Sequence, residues 1–225
     1  MIDISCIDYL GIDRVLKRGT GEIIEDQAEA LFVHDTVSGA YLLACENTAL
    51  GLSLLDRHED RGIGLLMASN AALGTIAFER YGFSDKLECF QVAYYGELPV
   101  KDSILRIRVA DRGDLPMLTQ SYHLISPKEM EQVVDRKTML LGYSGDQLVG
   151  FIGEHLEGSM GLLYVFPEFR RKGIATALEK YYIARTMEKG FVPFGQVEKD
   201  NKESLLLQKK LNMTQSEKLT IWMWK

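Results

Sequence analysis

Residues 164–178 read Tyr-Val-Phe-Pro-Glu-Phe-Arg-Arg-Lys-Gly-Ile-Ala-Thr-Ala-Leu: a strand-like run stops at Pro167, a basic stretch follows, and a helical periodicity begins. The chemistry this order suits is anion binding. Unpaired N–H groups at a helix start, aligned with the positive end of the helix dipole, attract phosphate. Gly173 and Ala175 let a ligand approach the backbone, Arg170, Arg171 and Lys172 add charge-assisted hydrogen bonds, and Pro167 has no N–H with which to continue a ladder. The run is neither GxxxxGK[ST] nor GxGxxG with a downstream acid, so nucleoside triphosphates and dinucleotides are poor fits.

The elements that must position this turn can be read on either side of it. Ile104–Ala110 alternates as a strand, Asp114 and Pro116 open a helix, and Ser126, Pro127 and Glu129 predict a second helix start with a capping box. Strands are expected over 137–142, 147–154 and 160–165, joined by the turns SGD and EGS. Ile174, Ala177, Leu178, Tyr181 and Ala184 fall at helical spacing, with Gly190 as the C-terminal cap. A strand over 191–197, a helix capped by Asp200 or Asn201, and a closing strand over 218–224 complete an α/β (α+β) order.

The polar stretch Gly96–Asp102 is the expected boundary, dividing the chain into domains 1–100 and 101–225. The first part reads as a trimmed copy of the second. At an offset of 99, the run around Gly51 aligns with that around Gly150, placing Leu50 on Val149 and Asn47 on Asp146, while LLMASN ending at Asn70 resembles GQVEKDN ending at Asn201. Between Leu55 and Leu66 the copy has room for neither a basic turn nor a long helix, so no anion site is expected there.

Charge supports the division. Residues 1–100 carry 7 Lys or Arg against 16 Asp or Glu, and residues 101–225 carry 19 against 16. An acidic first half disfavours nucleic acid or an anionic membrane as partner, whereas the basic excess of the second suits a small polyanion. No apolar run approaches the ~18 residues of a membrane span and the N-terminus lacks a basic leader, which points to the cytoplasm. Cys6, Cys45 and Cys89 have no metal-ligand spacing and are expected as reduced core residues; no metal is expected.

Val165-Phe166-Pro167 followed by Arg170-Arg171-Lys172-Gly173-Ile174-Ala175 resembles the cofactor motif of the GCN5-related N-acetyltransferase (GNAT) superfamily, V-x-P and then Q/R-x-x-G-x-G/A. The resemblance runs over 101–225 in full element order, and HLEGSMGLLYVFPEFRRKG with NKESLLLQKKLN looks most like the glycine N-acyltransferase-like branch. It implies a mixed, mostly antiparallel twisted sheet flanked by helices, in tandem with a degenerate N-terminal half. It also implies acetyl-CoA or another acyl-CoA as cosubstrate. Backbone N–H groups of Arg171, Lys172, Gly173, Ile174, Ala175 and Thr176 would hold the pyrophosphate with help from the Arg170 side chain. Leu163 and Val165 would lie along the pantetheine arm, and Asn201 and Ser204 would match the N-x-x-A/S element, whose plainer role is helix capping. The chain departs from the pattern at Gln208, where many members place a tyrosine acid, and at Leu211-Asn212-Met213, where Gly-Phe is usual.

The implied reaction is acyl transfer to the amine of a small-molecule acceptor by direct attack; a non-catalytic acyl-CoA sensor or scaffold is the alternative, and a homodimer is possible. Attack needs a base for the ammonium group. His155, Glu157 and Ser159 are spaced by two and share one face if the strand continues through them, whereas a turn at Gly158 would scatter them. Glu157 and His155 are the candidate bases, Glu154 lies on the opposite face, and Tyr164 is a candidate acid by proximity.

Overall fold

The computed structural model describes residues 2–100 and 104–225. Lys101 and Asp102, at the end of the expected boundary, lie outside the described residues. In chain order the elements are α1 (Leu10–Lys17), β1 (Gly21–Gln27), β2 (Ala30–Asp35), β3 (Tyr41–Cys45), α2 (Thr48–Arg57), β4 (Leu65–Ala68), α3 (Ala71–Arg80) and β5 (Asp85–Ala93). Then come β6 (Arg106–Val109), α4 (Leu115–Ser121), α5 (Pro127–Asp135), β7 (Leu140–Ser144), β8 (Gln147–Glu154) and β9 (Met160–Val165). The chain closes with α6 (Ile174–Glu188), β10 (Phe194–Glu198), α7 (Lys202–Lys210) and β11 (Thr214–Trp224). The fold is mixed α/β with a largely antiparallel sheet flanked by helices.

Two compact units result: Met1–Ala93 with Gln196–Leu205 and Thr214–Lys225, and Tyr94–Gly195 with Leu206–Met213. In the first, the strand order is β1-β2-β3-β4-β11-β5, parallel at β3/β4 and antiparallel at its other joins. Alternation sorts its side chains between two cores. Tyr41, Leu43 and Cys45 of β3 join Ile221 and Met223 of β11 on one face, while Leu42 and Ala44 join Trp222 on the other. With both faces covered, β3 reads as an unbroken apolar run.

The expected alignment of Leu50 with Val149 and of Asn47 with Asp146 does not hold, because Asn47 caps helix α2 by accepting from the Leu50 N–H. Gly51 belongs to that helix rather than to a strand: a Cβ there would come within 2.5 Å of Leu73 in α3, so the residue permits close helix packing. The copy therefore does have a helix after its third strand. The matching caps, by contrast, are present: Asn70 accepts from Ala72 and Leu73, and Asn201 accepts from Ser204. Cys45 and Cys89 are buried thiols, but Cys6 is exposed, on the loop leading to the first 3-10 turn, which corrects its expected core position.

In the second unit β6, β7, β8 and β9 pair antiparallel in sequence, and β9 meets β10 in parallel at Met160↔Gly195. Asp111 and Asp114 form a capping box before α4, with the Asp114 carboxylate held by both terminal nitrogens of Arg108 at 2.9 and 2.8 Å. Ser126 caps α5 by accepting from the Glu129 N–H. Gly142 and Gly150 sit opposite one another on β7 and β8. Leu178 of α6 seats there, its methyls 2.8 and 3.2 Å from where Cβ atoms would stand. The Tyr182 hydroxyl, donating to the Thr138 carbonyl at 2.9 Å, fixes the same helix farther along.

Candidate active site

Once α6 is docked, the start of that helix is fixed. Arg171 (φ 62°) and Gly173 (φ 81°) both adopt the left-handed conformation, so the backbone turns twice within three residues before entering the helix. Gly173 is the N-cap, it carries no side-chain cap, and a Cβ added there would meet nothing within 4 Å. No side chain caps the first N–H groups of α6, and the turn before them carries three exposed cationic side chains. Arg170 is partly committed: its Nε donates to the Val165 carbonyl at 3.0 Å, tying the turn back to β9. Lys172 lies over the Phe169 ring. The start of α2 contrasts with this, since Asn47 occupies it.

The turn at Gly158 is the conformation found between β8 and β9, and the continuous strand face is not. β8 ends at Glu154, Gly158 has φ 104°, and the turn is closed by His155 N–H to Ser159 O and Gly158 N–H to His155 O, both at 2.9 Å. The three residues are nevertheless not dispersed into solvent. Glu157 is buried, at 8% exposure, and accepts from the Ser159 hydroxyl. His155 keeps a third of its side chain exposed, with Nδ1 3.8 Å from Glu129 Oε1 of α5. Its Nε2 end covers Gly161, where a Cβ would come within 2.7 Å of it. Burial pushes the His155 imidazole down, but the Glu129 carboxylate and the charges of Glu157 and Glu154 outweigh it and set the pKa above the ordinary 6.5. Glu154 points elsewhere, toward the Tyr182 hydroxyl of α6.

Tyr164 stacks on Phe151 at 5.3 Å and meets Phe166 edge-on, with the Arg170 guanidinium 5.9 Å from its ring centre. Leu163 and Val165 are half-buried along β9. Asn201 and Ser204 fall in the first unit, where their observed bond is the helix cap.

Two polar groups had no place in the expected site. Glu179 of α6 is buried and takes a 3.0 Å bond from the Gln208 amide of α7. Burial raises its pKa to about 7, a rise that the Gln208 donor opposes. The second is Glu129, read from sequence as a capping residue. Helical spacing would have placed Glu179 beside buried Leu178, but nothing local announces its partner.

The sequence model of the acetyltransferase (GNAT) domain matches residues 111–202, which span the two-helix segment, the β8–β9 hairpin and the turn into α6. Residues 111–202 are thus similar to a GNAT acetyltransferase domain. No curated protein matches the chain in sequence. Solved structures share the GNAT domain's fold at low identity. A Drosophila protein superimposes with a TM-score of 0.71 at 14% identity, covering 98% of this chain and 90% of its own. A GCN5-related N-acetyltransferase from Kribbella flavida gives 0.58 at 8%, covering 97% and 94%. A GNAT-family acetyltransferase from Colwellia psychrerythraea gives 0.55 at 12%, covering 100% and 98%. At these identities the likeness is one of fold. Among the described residues, no cluster of three or more His, Cys, Asp or Glu could hold a metal ion, and no helix is long and apolar enough to cross a membrane.

Proposed function

We propose that the chain transfers an acyl group, acetyl by default, from acyl-CoA to the amine of a small-molecule acceptor by direct attack. One observation carries the reading: a helix start without a side-chain cap, entered through two left-handed residues and flanked by Arg170, Arg171 and Lys172. Backbone N–H groups from Arg171 to Thr176 hold the pyrophosphate. Leu163 and Val165 run beside the pantetheine as an added strand does, and a β9 N–H polarises the thioester carbonyl. The amine lone pair forms the new C–N bond, the C–S bond breaks with its electrons on sulfur, and a base takes the ammonium proton. A thiolate, whose conjugate acid has a pKa near 8.5, leaves without a dedicated acid, which accommodates Gln208 where a tyrosine is usual. The resemblance to the glycine N-acyltransferase-like branch makes amino acids the first acceptors to try.

Calorimetry with acetyl-CoA tests the site. Wild-type protein is expected to bind, and Gly173→Glu, which sets a carboxylate where phosphate would lie, to lose at least about tenfold in affinity. No heat of binding for the wild type, or an unchanged Gly173→Glu, removes the reading. Thiol release that depends on added amine separates transfer from mere binding.

A further inference from the structure

Glu129, His155 and Gly161 come from three elements of the second unit and meet at one place: the carboxylate lies at Nδ1 of the imidazole and the glycine lies under Nε2. We propose that His155 is the base that takes the proton from the attacking amine, and that Glu129 is its positioning residue. The proposal deepens the acyltransfer reading and rests on it.

Four observations carry it. The Glu129 contact falls on one nitrogen only, so the tautomer with hydrogen on Nδ1 leaves the Nε2 lone pair free. At 3.8 Å the contact has ion-pair rather than hydrogen-bond length, so Glu129 acts on the ring through its charge. The Nε2 end covers Gly161, the residue next after Met160, where β9 joins β10. A side chain at 161 would occupy the space the imidazole fills, so the glycine makes room for it. Exposure then separates the two candidate bases: His155 keeps a third of its side chain open to a substrate, whereas Glu157 is buried and its carboxylate already receives the Ser159 hydroxyl. The charged groups that act on the ring are Glu129 from α5, Glu157 in the turn and, through space although it points toward Tyr182, Glu154 at the end of β8. All three are acidic, so they stabilise the imidazolium formed when the proton arrives. As the amine nitrogen bonds to the thioester carbon and the C–S electrons pass to sulfur, that proton rests on Nε2; solvent or the released thiolate then removes it.

The test measures thiol release from acetyl-CoA with glycine, spermidine and Nα-acetyl-lysine between pH 5.5 and 9, alongside calorimetry of acetyl-CoA binding. Wild-type kcat/KM is expected to rise with pH through a midpoint above the ordinary histidine value, since only neutral imidazole accepts a proton. His155→Gln should lower kcat by about 10²-fold or more and abolish that rise, with acetyl-CoA affinity kept as proof of folding. Glu129→Gln should move the midpoint to lower pH and reduce kcat, and Glu129→Asp should restore part of both. Gly161→Ala, which crowds Nε2 without altering charge, should reduce kcat and spare binding. A His155→Gln variant that keeps its rate or its acidic limb overturns the base assignment. A Glu129→Gln profile with an unmoved midpoint overturns the positioning role. Binding of acetyl-CoA without thiol release from any of the three amines overturns the base but leaves the acyl-CoA site standing, whereas absence of binding removes both.

Discussion

A carboxyl group enclosed like Glu179 must either find a cation or keep its proton, and burial is the largest influence on this one. Burial keeps the proton there against the opposing Gln208 donor, and the other end of that amide offers the proton a place. Gln208 donates through Nε2 to Glu179 Oε1, while Gln208 Oε1 is buried with no hydrogen-bond partner among the described residues. A protonated Glu179 can supply the missing donor and make the contact two-pointed. The folded-state pKa of about 7 lies above the ordinary 4.5, so the stabilisation is fully present below pH 4.5 and is lost as pH rises through about 7. Chemical denaturation at pH 5 and pH 9 is expected to differ by about 3 kcal/mol from this group alone, and Glu179→Gln should flatten the difference. An unchanged pH dependence in that variant would show that the group is not held neutral. The substitution of an amide for the usual tyrosine at 208 is visible in the sequence; that the amide faces a buried acid is not, because the two residues are 29 positions apart.

Among elements, α6 governs the site, and two glycines on the sheet beneath it govern α6. Gly150 is the tighter, since a Cβ there would fall 2.5 Å from the Tyr164 carbonyl and 3.2 Å from Leu178. Gly150→Ala is therefore expected to cost about 1–3 kcal/mol and, by shifting the helix start, to weaken acetyl-CoA binding. Thermal unfolding together with calorimetry checks both, and an Ala variant as stable and as tight-binding as wild type refutes the account. Local elements were the most legible part of the chain: the apolar spacing of Ile174, Ala177 and Leu178, the Gly190 stop and the Ser126 cap all correspond to observed features. The misreading of α2 has a definite cause. Aligning Gly51 with the strand glycine Gly150 hid its role, which is to admit Leu73 between two helices. The hairpin at 155–159 was undecidable from spacing, because the period-two pattern and the Gly158 turn compete over the same residues.

For the molecule as a whole, the units do not follow a single cut in the sequence. Strand β11 pairs with β4 through Ile221↔Ala68 and its neighbours, and with β5 from Thr214 to Trp224, so the first unit holds a central strand drawn from the far end of the chain. Local pattern identifies Lys218–Trp224 as a strand but carries no information about its partners, and this is why the expected division at 96–102 could describe composition without describing assembly. A chain stopped after Met213 is expected to lose slow hydrogen exchange in both β4 and β5, since Ile221 and Met223 leave one core and Trp222 the other. Retention of that protection would show that the N-terminal strands close on themselves.

The placement of β11 also bears on synthesis. A ribosome releases the first unit's strands early, yet the slot between β4 and β5 stays empty until residue 224 has left the exit tunnel. Until then two strand edges wait without a mate, in the condition that chaperones recognise and that favours pairing with a neighbouring nascent chain.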